Sequence, residues 1–340
     1  GNTASLSSHK PANFAHSMNV LVVGTGSMAK RHIKNLQELD EIVRIYVYSS
    51  RGFPPQDVQD KKISIQKSLQ DLRGIDFAII ANETHKHIAT ASKLSEKGIH
   101  LFLEKPISHQ LQEAKDFEKL IVAKNIKVFV GYNLRFLGAI QFLKKEIERG
   151  YFGKILFAQI EAGQYLPDWR PGRNYKEVCS AKKEQGGGVA LELSHELDYM
   201  IYLFGFPSQW NFFSKRVSDL EIETDDIFEG IFVFKEGYLC NVHLDYLQRF
   251  KKRTLRIVGS EGTAACDLFG KRLILSKIDP KSGKVSEELI DEKSLFEIEK
   301  TYQDELKSFI NSIKKDSNPE SSLHDGLRVL ELLQGKNVLR

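Results

Sequence analysis

The feature that most constrains this chain is a strand that ends in glycine and leads directly into a helix. Residues 20–24 are a compact β-branched run. Residues 29–39 then place Ile33, Leu36 and Leu39 at spacings that suit one buried helix face. The turn between them, Gly24-Thr25-Gly26-Ser27-Met28-Ala29, reads G-x-G-x-x-A. Gly24 lets the chain turn tightly. Gly26 puts no side chain between the backbone and a pyrophosphate, and Ala29 is small enough for close helix–strand packing. Phosphates would rest on free N–H groups at the positive end of the helix. The six residues of this turn therefore predict a dinucleotide site.

The pattern downstream supports that context. Short apolar strands are expected over 43–48, 64–65, 77–81, 99–103 and 127–131. Helical segments alternate with them over 69–72, 85–97 (closed by Gly98) and 110–124. Such alternation predicts a doubly wound parallel sheet over residues 18–133, covered on both faces because its strands are almost continuously apolar. After Asn133 the texture changes. One amphipathic helix (139–149) is followed mainly by strands: 155–162, 209–217, 226–234, 238–247, 254–259, 262–267 and 271–276. Many alternate with period two, and Lys235-Glu236-Gly237 and Ser260-Glu261-Gly262 read as hairpin turns. Helices are expected over 191–203 and from about Glu297. Residues 134–340 thus read as an α+β domain with an open, mostly antiparallel sheet. Residues 1–17 are polar and read as a disordered leader or expression remnant.

Two strand ends carry chemistry. After the second strand the chain reads Tyr48-Ser49-Ser50-Arg51, where an NAD site usually has a carboxylate for the ribose 2′-OH. Ser49, Ser50 and Arg51 suit a 2′-phosphate instead, which points to NADP, with NAD as the alternative. The fourth apolar strand runs into Glu104-Lys105-Pro106. Carboxyl ends of strands face the ligand crevice in such sheets, so Lys105 is expected beside the cofactor, a plain surface lysine being the alternative.

Composition excludes other classes. The 340 residues carry 49 Lys and Arg against 45 Asp and Glu, for a net charge of +4 and no long run of one sign. Lys251-Lys252-Arg253 and Lys182-Lys183 read as solvated surface. Nucleic-acid binding and membrane association are not indicated, and no apolar run approaches the ~18 residues a bilayer span needs. Cys179, Cys240 and Cys266 lie far apart, with neither disulfide nor zinc spacing. A reducing compartment, the cytoplasm, is expected.

Taken in order, these features resemble the Gfo/Idh/MocA family, which includes glucose–fructose oxidoreductase and inositol dehydrogenase. The stretches that carry the resemblance are VLVVGTGSMAKRH, ANETHKHIATASKLSEKGIHLFLEKPIS, GYNLRF, GYFGKI, GGGVALELSHELDYMIYLFG and IVGSEGT, spread over residues 20–263. The resemblance implies an NAD(P)-dependent dehydrogenase or reductase of sugar or polyol CH–OH groups. It also implies a homo-dimer or homo-tetramer formed through the C-terminal sheet. Lys105 would bind the oxygen at the reacting carbon, its pKa lowered, with His195 as catalytic acid–base. Asn82, His87 and Glu104 would lie along the cofactor, while His85 is expected in solvent.

One departure concerns Glu192-Leu193-Ser194-His195, where many members read Asp-x-x-x-His. Whether Glu192 stands in for that aspartate is open. Asp198, three residues past His195, is either an orienting group or a helix-surface charge. Glu192, His195 and Glu196 on one helix suggest a metal, but H-E-x-x-H is absent and no metal is expected. The segment 165–184 offers Tyr165, Asp168, Trp169, Arg170, Arg173, Tyr175 and Lys176 as a long loop over the crevice. Its aromatic faces and guanidinium forks suit a sugar bearing an acid or nucleotide phosphate, an oligomer arm being the equal alternative. Asn133 and Arg135 are expected to line the same crevice. Competing functions are a non-enzymatic NAD(P)-binding regulator and a reductase of a non-sugar such as an imine or tetrapyrrole.

Overall fold

The computed structural model describes residues 17–50 and 60–335. Its first sheet is built from β1 (Met18–Val23), β2 (Ile42–Tyr48), β3 (Ile63–Ile65), β4 (Phe77–Ile80), β5 (His100–Leu103) and β6 (Val128–Val130). The strands are all parallel, in the order β3-β2-β1-β4-β5-β6. Helices α1 (Ser27–Gln37), α2 (His87–Glu96) and α3 (Leu111–Val122) make the crossovers. Alternate strand residues divide between two cores. Val20, Val22, Phe77, Ile79, Phe102 and Phe129 pack with Ala29, Ile33 and Leu36 of α1. Leu21, Val23, Ala78, Ile80, Leu101 and Leu103 face α2 and α3. Apolar residues at every strand position are what two covered faces demand.

Helix α4 (Gly138–Glu148) leads to the second sheet, which spans β7 (Ile155–Gly163) to β14 (Val285–Leu289). Between β7 and the next strand come two helices, α5 (Val189–Glu192) and α6 (His195–Phe204). The remaining strands are β8 (Gln209–Lys215), β9 (Ile227–Val233), β10 (Leu239–Asp245), β11 (Lys252–Gly259), β12 (Gly262–Asp267) and β13 (Arg272–Ile278). The order is β14-β13-β12-β11-β7-β10-β9-β8, antiparallel except for the β7–β10 pair. Helices α7 (Ile298–Lys314) and α8 (Leu323–Gln334) follow. Both return to the first sheet. Phe309 of α7 packs against the rings of Phe77, Phe102 and Phe129, and Leu306 and Ile310 join the same core.

Two expectations are corrected and one strand is added. Residues 69–72 form bends and irregular chain rather than helix. Four residues before Gly74 close too few hydrogen bonds to offset helix nucleation. The sequence reading also missed β14. The helix expected over 191–203 is broken in two after Glu192. In an unbroken helix the Glu192 carbonyl would accept from the Glu196 N–H, but that N–H donates to Leu193 and the Lys105 ammonium takes the Glu192 carbonyl. His195 therefore opens a helix instead of sitting inside one.

Candidate active site

The glycine turn is clamped between neighbouring strand ends. Gly24 has φ 122°, its N–H donates to Tyr48 O, and a Cβ there would stand 2.4 Å from Ala81 O. Only glycine fits. At Gly26, by contrast, a Cβ would meet nothing within 4 Å, so the backbone is approachable. Helix α1 starts at Ser27 with no side-chain cap, and Ala29 is fully buried against the sheet. Thr25 and Met28 are half-buried, and Ser27 is exposed. An uncapped helix N-terminus beside open backbone fits a dinucleotide phosphate. Ser49 and Ser50 follow β2 at its end, and Arg51 lies outside the described residues.

Asn82 follows β4, where its amide donates to Thr90 Oγ1. His87 is buried, with Nδ1 2.8 Å from Pro106 O and Nε2 3.0 Å from Asn82 O. It thereby braces the Glu104-Lys105-Pro106 segment against the end of β4. Burial pushes its pKa down, while the two carbonyls oppose that shift. His85, expected in solvent, is half-buried with Nδ1 enclosed. The Glu104 carboxylate turns into the core, 2.7 Å from His32 Nε2.

Lys105 is half-buried at the end of β5, and its Nζ donates to Glu192 O at 2.6 Å. Burial lowers its pKa, the Glu192 and Glu104 charges pull it back up, and Arg253 adds to the lowering. His195 is drawn well below the ordinary histidine range by burial, then by Lys105 and Arg253. Its imidazole is neutral at pH 7, with Nδ1 unpartnered among the described residues. The Tyr132 ring meets it edge-on with centroids 5.6 Å apart, and Tyr132 Oη donates to Ser194 Oγ. The arrangement gathers a cationic amine, a neutral proton acceptor and a nearby carboxylate, Glu192, at one end of the first sheet.

Several expected residues have other partners. Asn133 is buried with its amide donating to Thr301. Arg135 is buried in a two-pronged pair with Asp198 at 2.8 and 2.9 Å, and also reaches Asp325 at 3.3 Å. Neither side chain makes a hydrogen bond or ion pair with Lys105 among the described residues. Asp198 is therefore no surface charge; it anchors the first turn of α6, and burial pushes its carboxyl up to about 6 against the pull of Arg135. Arg253, read as solvated, is instead half-buried and 2.8 Å from Glu196. The signal was available: Arg253 alternates inward with Leu255 and Ile257 on β11. Glu196 likewise shares a helix face with Met200.

The 165–184 loop is held by short turns and by its aromatics. Trp169 packs edge-on against Tyr246 and donates to Gln164 O. Arg170 and Glu192 both act on Tyr246 and Cys179 electrostatically, which places Arg170 in the same neighbourhood as the Lys105 carboxylate neighbour. Burial raises the Cys179 thiol to about 11. Tyr165 lies under Arg249 at 3.6 Å, and Tyr175 Oη accepts from Glu221 N–H at the outer edge. Tyr246 and Cys179 were missed because nothing local distinguishes them; they join the site only through the sheet and the loop.

Comparison with known proteins gives a consistent result. The model of the oxidoreductase family with an NAD-binding Rossmann fold, GFO_IDH_MocA, matches residues 18–132, and the GFO/IDH/MocA C-terminal domain matches 140–265. A myo-inositol 2-dehydrogenase of Thermotoga maritima is 24% identical over 335 residues, 93% of this chain and 94% of that protein. A levoglucosan dehydrogenase of Pseudarthrobacter phenanthrenivorans is 33% identical over 141 residues, 41% of this chain and 35% of its own length. Among solved structures, a levoglucosan dehydrogenase in complex with NADH superposes with a TM-score of 0.80 at 21% identity, covering 94% of this chain and 95% of its own.

Proposed function

The chain belongs to the Gfo/Idh/MocA oxidoreductase family, and on that premise we propose that Lys105 and His195 carry out its acid–base work on a sugar-like substrate. The protein is an NAD(P)-dependent oxidoreductase acting on CH–OH groups of a sugar, polyol or sugar derivative. The observation that carries the assignment of roles is the half-buried Lys105 ammonium, held by the Glu192 carbonyl at 2.6 Å within electrostatic reach of a neutral His195. In alcohol oxidation His195 accepts the hydroxyl proton, and Lys105 neutralises the charge that grows on oxygen. The bound nicotinamide supplies the hydride acceptor, or the donor in the reverse direction. Residues 24–29 hold the pyrophosphate, residues 18–133 carry the cofactor, and most of 134–340 carries substrate and subunit contacts. Trp169, Arg170 and Tyr246 form the substrate wall; an anionic sugar would find the Arg170 guanidinium there.

The finer cofactor choice proposed is NADP, supported by the lack of a carboxylate in Ser49-Ser50-Arg51 after β2. Homo-oligomers through the second sheet are supported by its open face, where Phe213, Ile231 and Leu239 are 78%, 51% and 46% exposed. Among the described residues no helix is long and apolar enough to cross a membrane, and the three free cysteines suit the reducing cytoplasm.

The test is reduced-nicotinamide absorbance across a panel of sugars, polyols, sugar acids and nucleotide sugars with both cofactors. Turnover is expected, with the higher kcat/KM for NADP. Tight cofactor binding without turnover of any panel member would favour the regulator reading. A preference for NAD would overturn the choice drawn from residues 49–51.

A further inference from the structure

Directly behind Lys105 lies a cluster that the proposed mechanism does not use. His32 comes from the second turn of α1, Glu104 from the end of β5 and Glu305 from the middle of α7. One ligating atom from each lies within 4.8 Å of the others, and all three residues are buried. Glu104 is tightly placed. Its Oε1 is 2.7 Å from His32 Nε2, its Oε2 accepts the Lys105 backbone N–H at 3.3 Å, and a Cβ on Gly131 would collide with it at 2.8 Å. Glu305 is different: both of its oxygens are enclosed with no partner among the described residues. The surroundings are apolar, with Phe102 edge-on to His32 at 4.9 Å and Phe309 one turn beyond Glu305.

We infer that Glu305 is a protonated, neutral acid beside an ionised Glu104, so that the pair presents a single negative charge behind Lys105. Two carboxylates this close in an apolar enclosure do not both ionise without a matching positive charge. The charged and titratable groups facing Glu305 are Glu104, His32, Arg31 and Tyr302. Arg31 is committed elsewhere: it pairs with Glu299 at 3.4 Å and lies over the Tyr302 ring at 4.3 Å. Burial drives the Glu305 pKa well up, Glu104 adds to it, and Arg31 opposes both. A divalent cation would be the other way to neutralise the site. Two ligands each ~2.1 Å from a tetrahedral zinc stand about 3.4 Å apart. The 2.7 Å His32–Glu104 contact is a hydrogen bond, too short for that arrangement.

The consequence reaches Lys105 through its neighbour in sequence. Lys105 is faced by Glu192, Glu104, Arg253, Glu196 and His195. With Glu305 neutral, Glu104 is the one charge of the pair that reaches the amine. An ionised Glu305 would add a second negative charge behind the same amine, which would then hold its proton to higher pH.

The test compares wild type with Glu305→Gln and Glu305→Asp. At pH 7 the infrared difference spectrum between wild type and Glu305→Gln should contain the C=O band of a protonated carboxylic acid. Glu305→Asp should retain such a band at a displaced frequency. Absence of the band, or a stoichiometric divalent metal in the purified protein by mass spectrometry, overturns the protonated acid. This arm needs no turnover, so it stands apart from the dehydrogenase reading on which the second arm rests. In that second arm the pH limb of kcat/KM that Lys105→Ala abolishes should stay in place in Glu305→Gln, whose amide is neutral like the protonated acid. A shift of that limb to lower pH would mean that the substitution removed a negative charge, which overturns the neutral acid.

Discussion

Two polar clusters meet at the start of α6, one turn apart. On the crevice side stand Lys105, His195 and Glu192; on the junction side stand Arg135, Asp198 and Asp325, with Asn133 and Thr301 beside them. Both contain charges in a mostly apolar setting. The junction residues are engaged: Arg135 uses Nε and both terminal nitrogens on two carboxylates, and the Asn133 amide has its hydroxyl acceptor. The crevice residues keep capacity in reserve. Lys105 makes one short bond to a carbonyl, and His195 Nδ1 has no partner among the described residues. A buried pair that satisfies itself can only hold the fold, and removing one member strands the other. A half-satisfied amine and imidazole held at fixed positions can receive a substrate oxygen and its proton. The difference lies in free hydrogen-bonding capacity, since residue types and burial are similar.

Substitutions can break or sharpen that contrast. The largest effect is expected from Lys105→Ala. It should lower kcat/KM by roughly two to four orders of magnitude and move the melting temperature little, as steady-state kinetics and thermal melts would read. A large loss of stability would place Lys105 with the junction residues. Arg135→Ala should do the reverse, destabilising the fold by about 3–5 kcal/mol in denaturant titration because Asp198 is left buried without its partner. The kcat of its folded fraction should stay near wild type.

His195→Gln is expected to cost roughly a hundredfold in kcat. Its signature is the pH profile. Burial and the neighbouring cations lower the His195 pKa, so alcohol oxidation in wild type should hold through neutral pH and fall only below the ordinary histidine range, as the imidazole takes up a proton. The glutamine variant should lack that acid limb. The smallest effect belongs to Thr301→Val, which leaves the Asn133 amide donor unpaired. It should cost about 1–3 kcal/mol of stability and change neither kinetic constant.

Much of the fold was legible along the chain because it is written in local period. The glycine turn, the strands that run from β1 to β6 and the alternating strands of the second sheet all follow from spacing and turn residues. Lys105 was legible as well, because a residue at the carboxyl end of such a strand has only one region to face. The junction and the crevice were not separable in the sequence. Asn133 and Arg135 follow the last strand of the first sheet just as Lys105 follows β5, and no local property says which will meet Asp198 and Thr301. Arg253 sits in a basic run that looks solvated until its inward phase with Leu255 and Ile257 is counted.

The sequence by itself determined the class of fold, the glycine turn and the position of Lys105, since each depends on residues within about one turn or strand of one another. Tertiary structure alone decided the rest. The Lys105 ammonium takes the Glu192 carbonyl from across 87 positions and ends α5 there. Helix α7 returns to the first sheet and sets Glu305 beside Glu104. These outcomes depend on which groups come within a few ångströms in the folded chain, and charge and hydrogen bonding in a buried site act over that distance however far apart the residues stand in sequence.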